Sequence, residues 1–452
     1  VVGGGSNGTG GFGAMGCATI GGGCSNCVIC YGGTIGGGID NANSGCCSTI
    51  GGGQSNATNN CNATVGGGKS NNASGCCSTI AGGASNAASE CHTVIGGGLS
   101  NAASNCWASI GGGCSNAASG IFSTIVGGED NTASGRGSFV GGGGGNQATA
   151  LSSFVGGGTL NVASECYAAV VGGDTNVASC VHSFIGGGCD NCASGFFAAI
   201  AGGVSNTAGR CGSVGGGTTN TAPGTTLGSA TVGGGKDNDA TGDYSVIAGG
   251  LNGTASASNA AIAGGYSSTA SGTCSFVGGG LINVASGGSA SVVGGRQNQA
   301  TTVCSFIGGG YLNCTVTGTH TAVVAGCANH ACGACSIVGG GQSNCTKTGT
   351  HTTIAGGCAN CIEGTDPNFS FIGGGVSNCV CGATCGAIIG GSNNILRADA
   401  RGDGSVIAGT GICSVSANML HASRLSLSGI PTSDPGVVGV VWNDSGTLKI
   451  ST

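Results

Sequence analysis

A Val or Ile recurs at every fifteenth position from Ile20 to Ile200, and each is embedded in the same short pattern of small, apolar and polar residues. In the copy that runs from Cys46 to Asn60, Ser48 and Ile50 point to one side of a strand and Thr49 to the other, because strand side chains alternate faces. Gly51-Gly52-Gly53 follows and permits a tight bend at positive φ, after which the stretch through Asn56 and Ala57 returns the chain. One such copy holds too little apolar matter for a core of its own, so copies must stack. The pattern predicts an all-β chain, a parallel β-solenoid in which each fifteen-residue copy is one coil. About twenty-six coils at ~4.8 Å each make a rod on the order of 120 Å long.

The regular beat spans 1–210. A short coil at Cys211–Asn220 and an insertion beginning Ala222-Pro223-Gly224 open a second region, 211–413, in which Val232, Ile247, Ile262, Val277, Val292 and Ile307 resume the period. Beyond Ile307, Thr317–Thr321 recurs as Thr348–Thr352, and insertions at Glu363–Asn368 and Leu396–Asp403 enlarge this end. The array is expected to close near Cys413. A β cap then occupies 414–452, with a strand at Ser423–Leu427 and a hairpin of Val437–Trp442 and Thr447–Ser451 about Asn443-Asp444-Ser445-Gly446.

Three columns of repeated residues are candidates for function. Asn56, Asn71, Asn86, Asn101 and Asn116 hold one place in the coil and are expected to hydrogen-bond their neighbours as a structural ladder. The alternative is an exposed amide row that binds glycan or ice. Phe139, Phe154, Phe184, Phe276, Phe306 and Phe371 each precede the core Val or Ile and face outward, with Trp107, Phe122, Tyr167 and Phe197 two places further back. A row of aromatics facing water is adhesive, and a second chain is expected to cover it. Cys46, Cys61, Cys76, Cys91 and Cys106 share a third place, where a disulfide ladder is geometrically open, with pairs such as Cys46–Cys61 and Cys76–Cys91. The other reading of these thiols is small apolar core filler.

Composition narrows the classes. The chain has 105 Gly but only four Pro, and its glycines come in blocks, which excludes collagen. A net charge of -6 with strictly recurring β-branched residues argues against disorder, and ten scattered Lys and Arg form no basic patch for nucleic acid. Glycines interrupt every apolar run, so no membrane insertion is expected. Thirty cysteines suit an oxidising compartment. The start, Val1-Val2, carries no signal-like segment, and a processed chain or fragment is expected.

Catalytic chemistry finds no foothold. Six His are scattered without a Ser-His-Asp or paired-carboxylate constellation, so no enzyme activity and no cofactor are expected. Gly66-Gly67-Gly68-Lys69-Ser70 imitates a phosphate loop, but Ala63 stands where the opening glycine belongs. Cys327, His330, Cys332 and Cys335 have ligand-like spacing, yet the strand period sends them to different faces, and no metal is expected. Arg401-Gly402-Asp403 is an integrin-type tripeptide. Asn56, Asn62, Asn72, Asn252, Asn313, Asn344 and Asn368 are glycosylation acceptors by sequence.

The wording Ser-Thr-Ile-Gly-Gly-Gly-x-Ser-Asn-x-Ala-Ser-Gly resembles the head repeat of YadA-like trimeric autotransporter adhesins over about nine-tenths of the chain, each copy here being one residue longer. That resemblance implies a left-handed parallel β-roll with three chains side by side. Gly429–Gly436, followed by Trp442–Ile450, resembles instead a C-terminal segment of tail-fibre and virion-surface proteins of phages and large DNA viruses. The expectation is therefore a structural fibre or appendage subunit on a virus or phage surface, extracellular and involved in attachment to a host receptor or glycan that the sequence does not identify. A homotrimer is favoured, with a filament as the other assembly. A bacterial surface adhesin head and a glycan- or ice-binding solenoid are the alternatives.

Overall fold

The computed structural model describes residues 5–9, 16–225, 228–397, 404–414, 419–423, 428–444 and 447–451. Two compact units divide it, Val1–Ser289 and Ala290–Thr452. Both are parallel β-solenoids, and no helix occurs among the described residues.

In the first unit each coil contributes two strands of two residues and one isolated bridge. Thr49–Ile50 pairs in register with Thr34–Ile35 on one side and Thr64–Val65 on the other. Ala57–Thr58 pairs likewise with Ala42–Asn43 and Asn72–Ala73. Between them Gln54 bridges Ile39 and Lys69. We call these columns the Ile ladder, the Ala ladder and the bridge column. Most backbone donors point to the next coil, as Thr49 N–H does to Ala63 O at 2.9 Å and Gln54 N–H to Gly68 O at 2.9 Å. Two donors per coil run the other way to a backbone carbonyl. Ser55 N–H reaches back to Ile39 O at 2.9 Å, and Cys47 N–H to Tyr31 O at 2.9 Å.

Those reversed bonds explain an unusual backbone. Ser55 and Cys47 have φ of 55° and 52°, and the same two corners are left-handed in nearly every coil, even at Trp107 (62°), Phe122 (60°) and Tyr167 (60°). An L-residue gives up about 1–2 kcal/mol in that conformation. The turned N–H offsets the cost by closing a hydrogen bond with the preceding coil. At the glycine corner the constraint is steric as well: Gly53 has φ of 92°, and a Cβ there would collide with Gly68 O and Asn56 Nδ2.

The core is thin. Ile50, Val65 and Ile80 are fully buried, each over small residues such as Ser48, Ala63, Ala73 and Ala88. Removing an Ile or Val from water contributes about 1.5–3 kcal/mol, so each coil adds one large contribution and depends on its neighbours for the rest.

The period shortens and then lengthens where the sequence suggested: successive ladder asparagines are 14 residues apart at Asn206–Asn220 and 18 apart at Asn220–Asn238. In the second unit the Ile ladder runs from Ser291–Val292 through Val406–Ala408 to Leu420–Ala422, past Cys413. Residues 424–427 of the strand expected at Ser423–Leu427 lie outside the described residues. The hairpin is present, but its first strand is Val441–Asp444, antiparallel to Thr447–Ile450, while Val438 and Gly439 form a turn. Lys449 ion-pairs with Asp444 and lies over the Trp442 ring at 5.5 Å.

Candidate interaction surface

Asparagine fills the inner corner of the coil. Asn56, Asn71, Asn86, Asn101 and Asn116 are at most 1% exposed. Asn56 Oδ1 accepts the backbone N–H of Asn71 at 3.0 Å, and the same 3.0 Å bond joins Asn71 to Asn86, Asn86 to Asn101 and Asn101 to Asn116. Each side-chain amide also donates to two glycine carbonyls, as Asn101 does to Gly97 O and Gly113 O at 2.9 Å. The amides face inward and are consumed by the backbone, so no exposed amide row exists here for sugar or ice. The same burial closes the acceptor sequences at Asn56, Asn313 and Asn344, whereas Asn62, Asn72 and Asn252 are exposed and Asn368 half-buried.

Cysteines occupy the opposite situation. All 26 free thiols are exposed or half-buried, which rules out the reading as core filler. Cys46 is bonded to Cys30, not to Cys61, and Cys61, Cys76, Cys91 and Cys106 remain thiols. Side chains at one place in successive coils point in parallel, whereas Cys30 and Cys46 face each other across a corner with Cα atoms 4.9 Å apart.

The aromatics lie on the outer wall of the Ile ladder and the left-handed corner beside it. Phe154, Phe184, Phe276, Phe306 and Phe371 are 37–42% exposed, and Phe139 is half-buried. They do not form an unbroken row. Phe139 stacks on Phe154 at 5.3 Å, but Ala169 separates Phe154 from Phe184 in the ladder. The continuous stacks stand at the corner: His92 on Trp107 at 4.1 Å and Trp107 on Phe122 at 6.3 Å, then Tyr167 on His182 at 5.0 Å and His182 on Phe197 at 5.1 Å. In the second unit His351 stacks on Phe369 at 5.1 Å. Trp107, Phe122, Tyr167 and Phe197 are half or more exposed. Sequence reasoning placed these four outward and missed the histidines that join them; equal spacing of His92 and Trp107, or His182 and Phe197, was the available signal.

With Ile121, Leu151 and Phe196 also exposed, one wall of the first unit presents an aromatic strip in two parts, Trp107–Phe122 and Tyr167–Phe197, with exposed Arg136, Gly137 and Ser152 between them. Scattered apolar residues are ordinary on a surface, but exposed rings gathered into stacks mark a contact surface.

Other sequence candidates are dispersed. Cys327 lies in the bridge column, His330 and Cys332 on the Ala ladder, and Cys335 at a left-handed corner with φ of 54°. On that ladder Cys345 contacts Cys332 and Cys361; its hydrogen bonds bring the Cys332 thiol down to about 7 and lower Cys361, while Cys345 itself is pushed up. A shallow pocket of about 260 Å³ near Cys314 and His330 is smaller than the ~300–1,000 Å³ usual for small-molecule sites. Lys69 sits in the bridge column with no helix after it, so Gly66–Ser70 cannot cradle phosphate as a phosphate loop does. Arg401-Gly402-Asp403 lies outside the described residues. Among the described residues no helix is long and apolar enough to cross a membrane. No protein-family model matches the chain, and no curated protein matches it.

Proposed function

We propose that this chain is a structural fibre subunit of a virus or phage surface, whose copies associate side by side, three together, through the aromatic strip. The observation that carries the reading is the pair of ring stacks at Trp107–Phe122 and Tyr167–Phe197, which stay half exposed on a solenoid whose own core is already closed. Burying one such ring contributes about 1.5–3 kcal/mol before the entropy of association is subtracted, so several rings per chain suffice for a stable assembly. The stacks also prepare the surface, since rings already ordered against each other lose little freedom on contact. In the first unit the outward positions of the Ala ladder carry mainly Ala and Thr, with Val162, Val177 and Val284 among them, and no aromatic ring. The C-terminal resemblance to tail-fibre and virion-surface segments supports the particle assignment. Immunogold labelling of purified particles with antibody against the chain tests it: gold along surface projections is the expected result, and absence of label from intact particles refutes the location.

A further inference from the structure

We propose that Cys361, Glu363, Cys379 and Cys381 form a binding site for a thiophilic divalent cation of the Zn²⁺ class, loaded when the Cys379–Cys381 disulfide is reduced. The two strands that carry them, Cys361–Glu363 and Cys379–Cys381, are three residues long where most in the solenoid have two. They pair in parallel with Cys361 opposite Cys379 and Glu363 opposite Cys381. Residues two apart on a strand share a face, so the four side chains stand at the corners of one rectangle on a hydrogen-bonded platform, all half-buried and within reach of solvent.

The donor atoms already converge. Ligand atoms of Glu363, Cys379 and Cys381 lie within 4.8 Å of one another. Cys361 Sγ is 3.4 Å from Glu363 Oε2, and Cys379 Sγ is 3.9 Å from Oε1. A tetrahedral zinc with Zn–S of about 2.3 Å and Zn–O of about 2.0–2.2 Å holds its donors roughly 3.5–3.8 Å apart, so small side-chain rotations complete an S₃O set. Lys347 is 2.6 Å from Glu363 Oε2. It orients the carboxylate with Oε1 toward Cys379, and its charge offsets part of the excess when three thiolates and a carboxylate surround one dication.

Loading has two balanced steps. A dithiol reductant delivers two electrons and two protons to the Cys379–Cys381 bond, giving two thiols while its own sulfurs join as a disulfide. The cation then displaces three thiol protons, from Cys361, Cys379 and Cys381, and binds the resulting thiolates with the Glu363 carboxylate. In the oxidised chain Cys379 and Cys381 are disulfide-bonded to each other, their Cα atoms 5.9 Å apart, so the site is closed to metal.

The full chain serves for the test, with Cd²⁺ as probe and alkylation of each cysteine followed by peptide mass spectrometry. After reduction, one equivalent of Cd²⁺ is expected to slow labelling of Cys361, Cys379 and Cys381 together by at least tenfold and to leave exposed Cys274 and Cys304 unchanged. The oxidised chain is expected to show no such protection, and Glu363→Gln to weaken it. Protection that falls on Cys91 and Cys106, where Glu90 completes another three-donor group, that spreads evenly over all thiols, or that is the same before and after reduction, overturns the proposal.

Discussion

The side-chain Oδ1 of Asn101 accepts the backbone N–H of Asn116 at 3.0 Å, so the amide of one coil terminates the backbone of the next. Replacing Asn101 with Ala orphans that N–H and takes the side-chain donor from the Gly97 carbonyl, while Gly113 O keeps the Leu99 N–H. Each unsatisfied buried group costs about 1–3 kcal/mol. Hydrogen exchange at the Asn116 amide is expected to accelerate at least tenfold, and Asn101→Asp, which keeps the acceptor and loses the donors, should fall between the two. Unchanged protection in Asn101→Ala would remove the ladder from the account of stability.

Two adjacent glycines separate steric need from composition. A Cβ at Gly82 meets nothing within 4 Å, whereas at Gly83, with φ of 90°, it collides with Gly98 O and also meets Asn86 Nδ2 at 2.8 Å. Gly82→Ala should unfold within about 0.5 kcal/mol of the parent, the usual range for a surface change. Gly83→Ala should be destabilised by about 1–3 kcal/mol or more, the usual range for a strained backbone. Equal behaviour in urea unfolding would contradict the corner geometry.

Asp239 gives a dependence on pH. It starts a strand of the Ala ladder between Thr221 and Thr254, its Oδ1 is buried with no hydrogen-bond partner, and burial raises its pKa above the ordinary 3.8. The folded chain therefore binds this proton more tightly than the unfolded one. The contribution to stability is full below 3.8 and is lost as pH rises through the raised folded value. Glu363 and Asp434, whose values are lowered, act in the opposite sense, so the comparison is with Asp239→Asn. The difference in stability between variant and parent should grow in the variant's favour from pH 3 to pH 7; a constant difference would show that Asp239 does not titrate in this way.

The fold was legible because the core positions are themselves the period: Ile50, Val65 and Ile80 are neighbours in space for the same reason that they are fifteen residues apart in sequence. The left-handed corners were not. Trp107 and Phe122 avoid positive φ by intrinsic preference, and only the reversed hydrogen bonds to Cys91 O and Cys106 O impose it. Cysteine partners were obscure for a related reason, since Cys30–Cys46 crosses a corner diagonally. The group at Cys361, Glu363, Cys379 and Cys381 was hidden by the loop after Glu363. It places Cys379 opposite Cys361 at a separation of eighteen residues, outside the regular beat.

The corner stacks should report their own geometry. Trp107 lies between His92 and Phe122, and aromatic pairs contribute about 0.5–1.5 kcal/mol beyond their area. His92→Ala should leave the coil folded, because the ring is exposed, and shift Trp107 fluorescence to the red as water reaches the indole. An unshifted spectrum would mean that the stack does not persist in solution.

Side-by-side association through the strip is tested most directly by sedimentation equilibrium of the unmodified chain at micromolar concentration, beside a variant carrying Trp107→Ser, Phe154→Ser and Phe197→Ser. The account predicts a mass of three chains for the parent and a shift toward single chains for the variant, whose buried Ile110, Val155 and Ile200 are untouched. A parent that sediments as a compact monomer, or a variant that associates as strongly as the parent, would contradict it.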